Sequence, residues 1–390
     1  MSAFSLFLRN SADFYKILQK GINMEIKKEK WKLSDIQYGP FLGYLKDTTV
    51  TDIDYNGKAL WIKDINSRRW KVEDDNIKKQ LTPEFIRGFA QNVGNLVGKN
   101  LNPIDNVIEA ETEDLRITIL HDSIAVSGLC ICIRKTPPVQ RITPAVAIEE
   151  GYCEEEVLHL LANCVKAKLN MVFCGEPGVG KTECAKFLTA FIPAEEKVIT
   201  IEDTREIHYR EINPGKDCLE WKVNEHFNYE DALKEVLRMN PNRVMLSEVR
   251  STEVQQLVEC WTSGITGFTT LHTDDVRKIP DRILNMMPSR EDAERLTNDV
   301  YVGMDVGILL DTRFNQEKGE NRRYINQIAF FSREEEENRC RMLVVNGRLK
   351  EKTKDILPED VKNRMKKMRI EDPFYCLELK QRIDREQEGV

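Results

Sequence analysis

Long apolar runs are missing from this 390-residue sequence. No stretch reaches the unbroken apolar length that a membrane-spanning helix requires, and the opening residues, MSAFSLFLRN, hold too short an apolar region for a signal peptide. We therefore expect a protein that stays in the cytoplasm and reaches a membrane by docking on a partner.

Paired CxxC motifs are missing as well, although the chain contains 10 cysteines. The two nearest in sequence, Cys130 and Cys132, lie in the alternating apolar run SGLCICIRK. This placement favours reduced cysteines in a protein core over zinc ligands or disulfides.

An excess of positive charge is the third absence. Lys and Arg number 58 against 65 Asp and Glu, which gives a formal net charge of -7. Such a balance provides no overall attraction to nucleic acid or to an anionic membrane, so we expect no direct nucleic-acid binding.

The length exceeds what one hydrophobic core usually serves, and 41% hydrophobic with 32% charged residues is typical of a globular protein. We expect two domains, a linker between them and a short segment at each end. They are a lead-in segment at 1–35, a small α+β N-terminal domain at 36–138, a linker at 139–150, an α/β domain at 151–335 and a C-terminal appendage at 336–390.

Local patterns support these boundaries. The first thirty residues lack a clear period and are either a helical lead-in or a partner-docking arm. The runs VTDIDYNG and ALWIKD alternate around Asn56 and Gly57 and predict a hairpin, PEFIRGFAQNVGNLVG predicts a helix, and IEAE, RITILH and VSGLCICIRK predict strands. PPVQRITP is typical of a linker.

After the linker, strand and helix patterns alternate as far as about Phe331. Alternation of this kind predicts a parallel sheet covered by helices on both faces. The acidic run at 334–337 and the basic, helix-like VKNRMKKMR predict a solvated appendage.

A phosphate-binding loop follows the apolar strand MVFCG and precedes the helix TECAKFLTAF. The sequence GEPGVGKT at 175–182 fits the Walker A pattern, whose glycines turn backbone N–H groups towards phosphates, whose lysine meets the β- and γ-phosphates, and whose threonine offers a hydroxyl to Mg²⁺. We assign to nucleotide binding Gly175, Glu176, Pro177, Gly178, Val179, Gly180, Lys181, Thr182 and Glu183.

Hydrolysis also needs acidic groups and a stabilising charge. Glu202, Asp203 and Glu206 follow the strand KVITIED, where α/β folds place ligands; the alternative is a set of surface carboxylates that cap a turn. Glu248 ends the buried strand RVMLSE and resembles a Walker B acid aimed at Mg²⁺, with a plain helix N-terminal Glu as the alternative. His272 ends the strand GFTTLH, and a lone histidine is more often structural.

Taken in order, GEPGVGKT, ITIEDTREI, ALKEVLRMNPNRVMLSEVR and SGITGFTTLHTD resemble the Walker A, Asp box, Walker B and His box of the type II/type IV secretion and pilus-assembly ATPase superfamily. Within it the chain is most similar to the Tad-pilus and conjugation-type branch. The resemblance implies a RecA-like P-loop NTPase domain, ATP and Mg²⁺ as cofactors, and nucleotide bound between the two domains.

The same resemblance implies a homo-hexamer at the inner face of the cell membrane. Its partners would be inner-membrane secretion or pilus platform proteins, and it would drive pilus assembly, secretion or DNA transfer. The resemblance implies catalytic roles for Glu202, Glu206, Glu248 and His272, metal ligation by Thr182 and Glu248, and nucleotide contacts from Lys181, Asp203, Arg116 and Arg134. It leaves open whether Glu206 or Glu248 is the general base.

Two positions depart from the family pattern. Ser247 stands where many relatives have glycine before the Walker B acid, and Ile265 replaces a histidine often seen in the His box. Two other functions stay open: a RecA-like nucleic-acid motor that uses VKNRMKKMR, and a nucleotide-gated scaffold with little turnover.

Overall fold

The computed structural model describes residues 33–288, 291–316, 320–350, 352 and 354–388. Nearly all of the predicted lead-in segment, residues 1–32, lies outside the described residues. The chain divides into two compact units. The first holds the described residues up to Thr48 together with 53–61 and 71–134, and the second holds 49–52, 62–70 and the chain from Lys135 onwards.

The first sheet has six strands in the order β3-β2-β1-β6-β5-β4. The strands are β1 Val50–Tyr55, β2 Leu60–Asp64, β3 Arg69–Lys71, β4 Val107–Glu111, β5 Leu115–Leu120 and β6 Cys130–Lys135. The helices before Arg134 are α1 Asp35–Tyr38, α2 Leu42–Lys46, α3 Asp75–Gln80 and α4 Pro83–Val97, and a 3₁₀ turn lies at Gly39–Phe41. The predicted hairpin, helix and three strands are confirmed.

The longest of these helices, α4, shows why the chain folds this way locally. Thr82 caps its start by accepting a hydrogen bond from the backbone N–H of Phe85 at 3.2 Å, and Pro83 occupies the first turn. Gly98 ends it in the left-handed conformation, with φ 66°. Its apolar face buries Phe89 and Val93.

The second sheet has nine strands in the order β15-β14-β13-β12-β7-β11-β10-β8-β9. Its strands are β7 Met171–Cys174, β8 Val198–Glu202, β9 Cys218–Lys222, β10 Arg243–Leu246, β11 Thr266–Leu271, β12 Val306–Asn315, β13 Glu320–Glu334, β14 Glu337–Val345 and β15 Arg348–Leu349. In sheet order, the six strands β9, β8, β10, β11, β7 and β12 run parallel to their neighbours. The remaining strands β13, β14 and β15 are added antiparallel beyond β12.

Helices cover both faces of this sheet. Met171 and Phe173 of β7 join one buried cluster, whereas Val172 and Cys174 join the other. This alternation confirms the predicted α/β fold with apolar layers on both sides. The helices are α5 Pro144–Glu149, α6 Glu155–Lys166, α7 Lys181–Thr189, α8 Tyr209–Ile212, α9 Tyr229–Met239, α10 Val254–Thr262, α11 Ile279–Met286, α12 Ala293–Gly303, α13 Glu359–Lys367 and α14 Leu377–Glu388.

The predicted solvated appendage at 336–390 is wrong, because this region completes the core of the second unit. The acidic run forms the hairpin turn between β13 and β14, with Glu335 and Glu336 at positive φ. Buried apolar side chains of the C-terminal region join the cluster around β7, namely Leu357, Val361, Met365, Phe374, Cys376, Leu379 and Ile383. The sequence hides the buried face of these helices, because only a few apolar residues at helical spacing stand among many charged ones.

Hydrogen bonds fasten the same region. Asn163 of α6 donates from its amide nitrogen to the carbonyl oxygens of Pro373 and Tyr375, both at 2.9 Å. Arg364 of α13 lies 2.7 Å from the buried carboxylate of Asp305. The C-terminal helices are therefore anchored by polar contacts as well as by apolar packing.

The linker predicted at 139–150 also differs from the structure. Its second half is the short helix α5, capped by Thr143, and the backbone N–H of Ala145 donates to Glu386 of α14 at 2.9 Å. Within the described ranges, the structure contains no helix with the length and apolar character needed to cross a membrane.

Candidate active site

The strand register of the second sheet brings several loops to one edge. Leu246 of β10 is level with Ile201 of β8 and Thr269 of β11, and Leu271 is level with Cys174 of β7. Because these strands are parallel, the loops that follow them start at the same edge. Most of the residues predicted for nucleotide chemistry lie on these loops.

The phosphate-binding loop joins β7 to α7. Gly175 has φ 140°, and a Cβ atom there would lie 2.4 Å from the carbonyl oxygen of Leu310, so a side chain does not fit. Gly180 has φ 95° and caps α7. Glu176, Pro177 and Gly178 are exposed, whereas Val179 is buried beneath the loop.

Within the described part of the chain, the backbone N–H groups of residues 178–182 in this loop donate no hydrogen bond to another residue. Unpaired amides beside the positive end of a nine-residue helix suit the oxygens of a phosphate chain. The loop therefore fits the nucleotide that its sequence predicts.

Lys181 is the innermost charged group of the loop, with 8% of its surface exposed. Its ammonium donates to the carbonyl oxygens of Gly175 at 3.0 Å and Glu176 at 3.2 Å, and it lies 3.1 Å from Nδ1 of His272. Burial lowers the pKa of Lys181 below its usual value, although Glu248 opposes this shift. Two carbonyl groups of the loop therefore hold the Lys181 ammonium next to the loop amides.

A line of polar contacts leads from this lysine across the sheet edge. His272 Nε2 lies 2.9 Å from Glu248, Glu248 lies 2.8 Å from Arg250, and Arg250 lies 2.9 Å from Asp203. A hydrogen bond to Glu248 is the largest cause that raises the pKa of the Arg250 guanidinium above its ordinary value. The line joins the loops after β7, β8, β10 and β11.

Oxygen donors suited to a divalent ion lie on these loops, although the described residues contain no cluster of three or more His, Cys, Asp and Glu side chains placed to hold a metal ion. The Thr182 hydroxyl donates a hydrogen bond to Glu206 at 3.3 Å. Glu248 comes two residues after the end of β10, the strand next to β8. A hydroxyl and carboxylates are the hard donors that Mg²⁺ prefers, so the side chains present fit this ion.

Glu202 has a different environment from the other acidic residues. It is 3% exposed, and its Oε1 accepts hydrogen bonds from the backbone N–H groups of Glu206 at 3.1 Å and Ile207 at 3.0 Å. Burial raises the pKa of Glu202 to about 8. The geometry suits a carboxyl that holds the loop in place, and it makes Glu202 a weaker catalytic candidate than Glu206.

Other predicted residues are not brought into the line. Arg116 and Arg134 lie on β5 and β6, neighbouring strands of the first sheet, and their contact with nucleotide stays a prediction. Glu183 is one turn into α7, where it lies 3.2 Å from Lys186. Ile265 packs against the buried cluster next to β11.

Two residues beside the site were missed by the sequence patterns. Arg323 of β13 donates to the carbonyl oxygen of Gly178 at 3.3 Å, and its side chain lies next to Gly180. The hydroxyl of Tyr229 forms hydrogen bonds with Asp203 after β8 and with Ser247 after β10. Neither lies in a recognisable motif. Their positions follow from tertiary packing, which no local signal in the sequence reports.

Known proteins resemble this chain in sequence and in fold. A family model described as type II/IV secretion system protein matches residues 100–349. An uncharacterized protein of Bacillus anthracis is 27% identical over 237 residues, which are 61% of this chain and 53% of that protein. The type IV secretion system protein VirB11 of Bartonella quintana is 27% identical over 169 residues, which are 42% of this chain and 47% of VirB11. The chain thus spans about half the length of these relatives.

A solved structure has a similar fold over nearly the whole chain. The ATPase DotB of Legionella pneumophila superposes with a TM-score of 0.58 over 94% of this chain and 95% of DotB, at 16% sequence identity. At that identity the likeness supports the shared fold and leaves the chemistry to be argued from the residues.

Proposed function

The chain belongs to the type II/IV secretion system protein family, and we propose that it is an ATPase that binds ATP with Mg²⁺ at residues 175–182. The observation that carries this proposal is the line of contacts from Lys181 through His272, Glu248 and Arg250 to Asp203. It gathers beside the loop a cation for phosphates, acids for the metal side and a charge-stabilising arginine, which are the parts that phosphoryl transfer uses.

The residues divide the work as follows. The loop amides and Lys181 hold the phosphate chain, and Thr182 and Glu248 are the metal-side groups. Bound Mg²⁺ supplies neutralisation of charge on the phosphate oxygens. The carboxylate of Glu206 accepts a hydrogen bond from the hydroxyl of Thr182, the residue that follows Lys181 in the loop. We therefore assign Glu206 to orient and deprotonate the attacking water.

The wider assembly is part of the same proposal. A homo-hexameric ring would work at the cytoplasmic face of the inner membrane, where Arg116 and Arg134 would reach the nucleotide as the two domains close. It would drive a platform protein in secretion, pilus assembly or DNA transfer. The names of VirB11 and DotB, a secretion system protein and an ATPase, support this direction.

The test combines binding and turnover in the full chain. Lys181→Ala is expected to abolish both nucleotide binding and hydrolysis, and Glu206→Gln to bind nucleotide while turnover falls about a hundredfold or more. Lys234→Ala, an exposed lysine of α9, is the control and should match the wild type.

Three outcomes would redirect the proposal. Hydrolysis by Lys181→Ala at the wild-type rate would contradict the site. Tight ATP binding without turnover in the assembled wild type would favour a nucleotide-gated scaffold. Strong stimulation by single-stranded DNA would favour a nucleic-acid motor.

A further inference from the structure

The hydroxyl of Tyr229, the first residue of α9, lies between two loops of the proposed site. It accepts a hydrogen bond from the backbone N–H of Asp203 at 2.9 Å and lies 3.1 Å from the hydroxyl oxygen of Ser247. Asp203 directly follows β8, and Ser247 directly follows β10. One phenol therefore ties together the ends of two neighbouring parallel strands.

The two carboxylates that Arg250 joins lie at the first tied position and next to the second. Asp203 itself lies 2.9 Å from Arg250, and the residue after Ser247 is Glu248, which lies 2.8 Å from the same guanidinium. The phenol contacts the backbone N–H of Asp203 and the side-chain hydroxyl of Ser247, whereas the arginine contacts the carboxylates of Asp203 and Glu248. Together they form a closed loop of contacts around the ends of β8 and β10.

The state of the phenol suits this task. Burial raises the pKa of Tyr229 well above its ordinary value, so the hydroxyl keeps its proton. Because its oxygen accepts from Asp203, its own hydrogen is available for Ser247. Ser247 is fixed in turn, since its backbone N–H donates to Ile201 at 3.1 Å and its carbonyl oxygen accepts from Thr270 at 2.7 Å.

We propose that Tyr229 and Ser247 are positioning residues for hydrolysis, which set the backbone at Asp203 and Glu248 so that Glu248 meets His272 and Arg250. This inference rests on the proposed ATPase function. Among the described residues, neither side chain forms a hydrogen bond with Lys181 or Thr182, so the pair controls the rate of the chemical step and leaves nucleotide affinity unchanged.

The experiment compares Tyr229→Phe and Ser247→Ala with wild type. Each variant should lower kcat about tenfold, because small displacements of reacting groups are costly, while the Kd for nucleotide stays within about twofold. The double variant should be no slower than the slower single variant, since both remove the same tie. Ser247→Thr, which keeps a hydroxyl, should restore most of the rate.

Tyr209→Phe is the matched control. Tyr209 begins α8 as Tyr229 begins α9, it is fully buried, and its hydroxyl has no hydrogen-bond partner in the part of the chain that the structure describes. It should leave kcat unchanged, which separates loss of the tie from loss of a buried hydroxyl.

The outcomes separate the two proposals. A wild type without ATPase activity would overturn the proposed function. An active wild type with Tyr229→Phe and Ser247→Ala at the same kcat, or with weaker nucleotide binding and unchanged kcat, would overturn the positioning role alone. Should Tyr229→Phe fail to fold, Ser247→Ala and Ser247→Thr decide the matter.

Discussion

His272 lies 2.9 Å from Glu248 through Nε2, and its other ring nitrogen lies 3.1 Å from the ammonium of Lys181. Nδ1 also lies 3.1 Å from the carbonyl oxygen of Gly175, so this ring nitrogen is placed between the ammonium and a carbonyl group of the loop. The imidazole of His272 therefore links the lysine of the phosphate loop to Glu248. Any movement of Lys181 towards a phosphate would break its contact with His272.

Replacement of His272 should therefore uncouple the lysine from Glu248. His272→Ala is expected to lower kcat for ATP about tenfold or more, in the range typical of groups that orient reacting side chains. Steady-state ATPase assays with a separate measurement of nucleotide Kd would check this. His226→Ala, an exposed histidine, should behave as wild type; equal rates for the two variants would contradict the role of His272.

Arg250 should resist even its most conservative replacement. Its two terminal nitrogens reach two different carboxylates, Asp203 at 2.9 Å and Glu248 at 2.8 Å. A lysine ammonium is a single point charge without this fork. We expect Arg250→Lys to lose nearly as much ATPase activity as Arg250→Ala, whereas Arg238→Lys on the exposed face of α9 should lose none. Full activity in Arg250→Lys would show that the fork is dispensable.

Glu202 gives a signature in the pH dependence of stability. Its pKa is about 8 in the folded chain and near 4.5 when unfolded, so the folded state holds the extra proton between these values. The free energy of unfolding should then fall by up to about 1.4 kcal/mol per pH unit as the pH rises from about 4.5 to 8. The stabilisation from protonated Glu202 is fully present below about pH 4.5 and is lost as the pH rises through about 8.

Glu202→Gln keeps an acceptor for the two backbone N–H groups and removes the titration. Urea unfolding at pH 5 and pH 8 should show a smaller pH dependence for Glu202→Gln than for wild type, and ATPase activity should persist. The exposed Glu195→Gln is the control. Identical slopes for wild type and Glu202→Gln would contradict the protonated state.

Arg364 should be needed for the stability of the second unit. It lies 2.7 Å from the carboxylate of Asp305, a residue that is 5% exposed and that also accepts from the backbone N–H of Asn170 at 2.6 Å. Arg364→Ala leaves that carboxylate without its cation, which should cost about 3 kcal/mol of unfolding free energy. Chemical denaturation would measure it, and adding Asp305→Asn should restore part of the loss.

The control for this pair is Lys366→Ala, an exposed position on the same helix. A loss no larger than that of the control would mean that water, and not Arg364, compensates Asp305.

The sequence predicted the local and periodic features well. Alternating apolar strands, glycine at Gly175 and Gly180, and proline at the start of α4 act through short-range physics, so β7, the loop and most helices were predictable. The order of motifs then indicated which strand ends would carry acids. The roles of those residues in catalysis remain predictions.

What the sequence could not predict depends on contacts between distant residues. The antiparallel strands β12 to β15 extend a parallel sheet, and Tyr229 and Arg323 reach the site through packing alone. In the sequence, Glu202 and Glu206 were equally good candidates for catalysis. Only the folded chain shows that Glu202 is buried. The C-terminal helices had the charge pattern of a surface segment.

The packing of the last helices against α6 also fixes the order in which this protein can mature during synthesis. The nucleotide motifs, residues 175–272, leave the ribosome long before Leu379 and Ile383 are made, yet these two side chains belong to the cluster that buries Met171 and Phe173 of β7. A nascent chain therefore holds every motif on an unfinished core. The second unit can complete its core only after translation passes Ile383, so the site stays on an incomplete core until then.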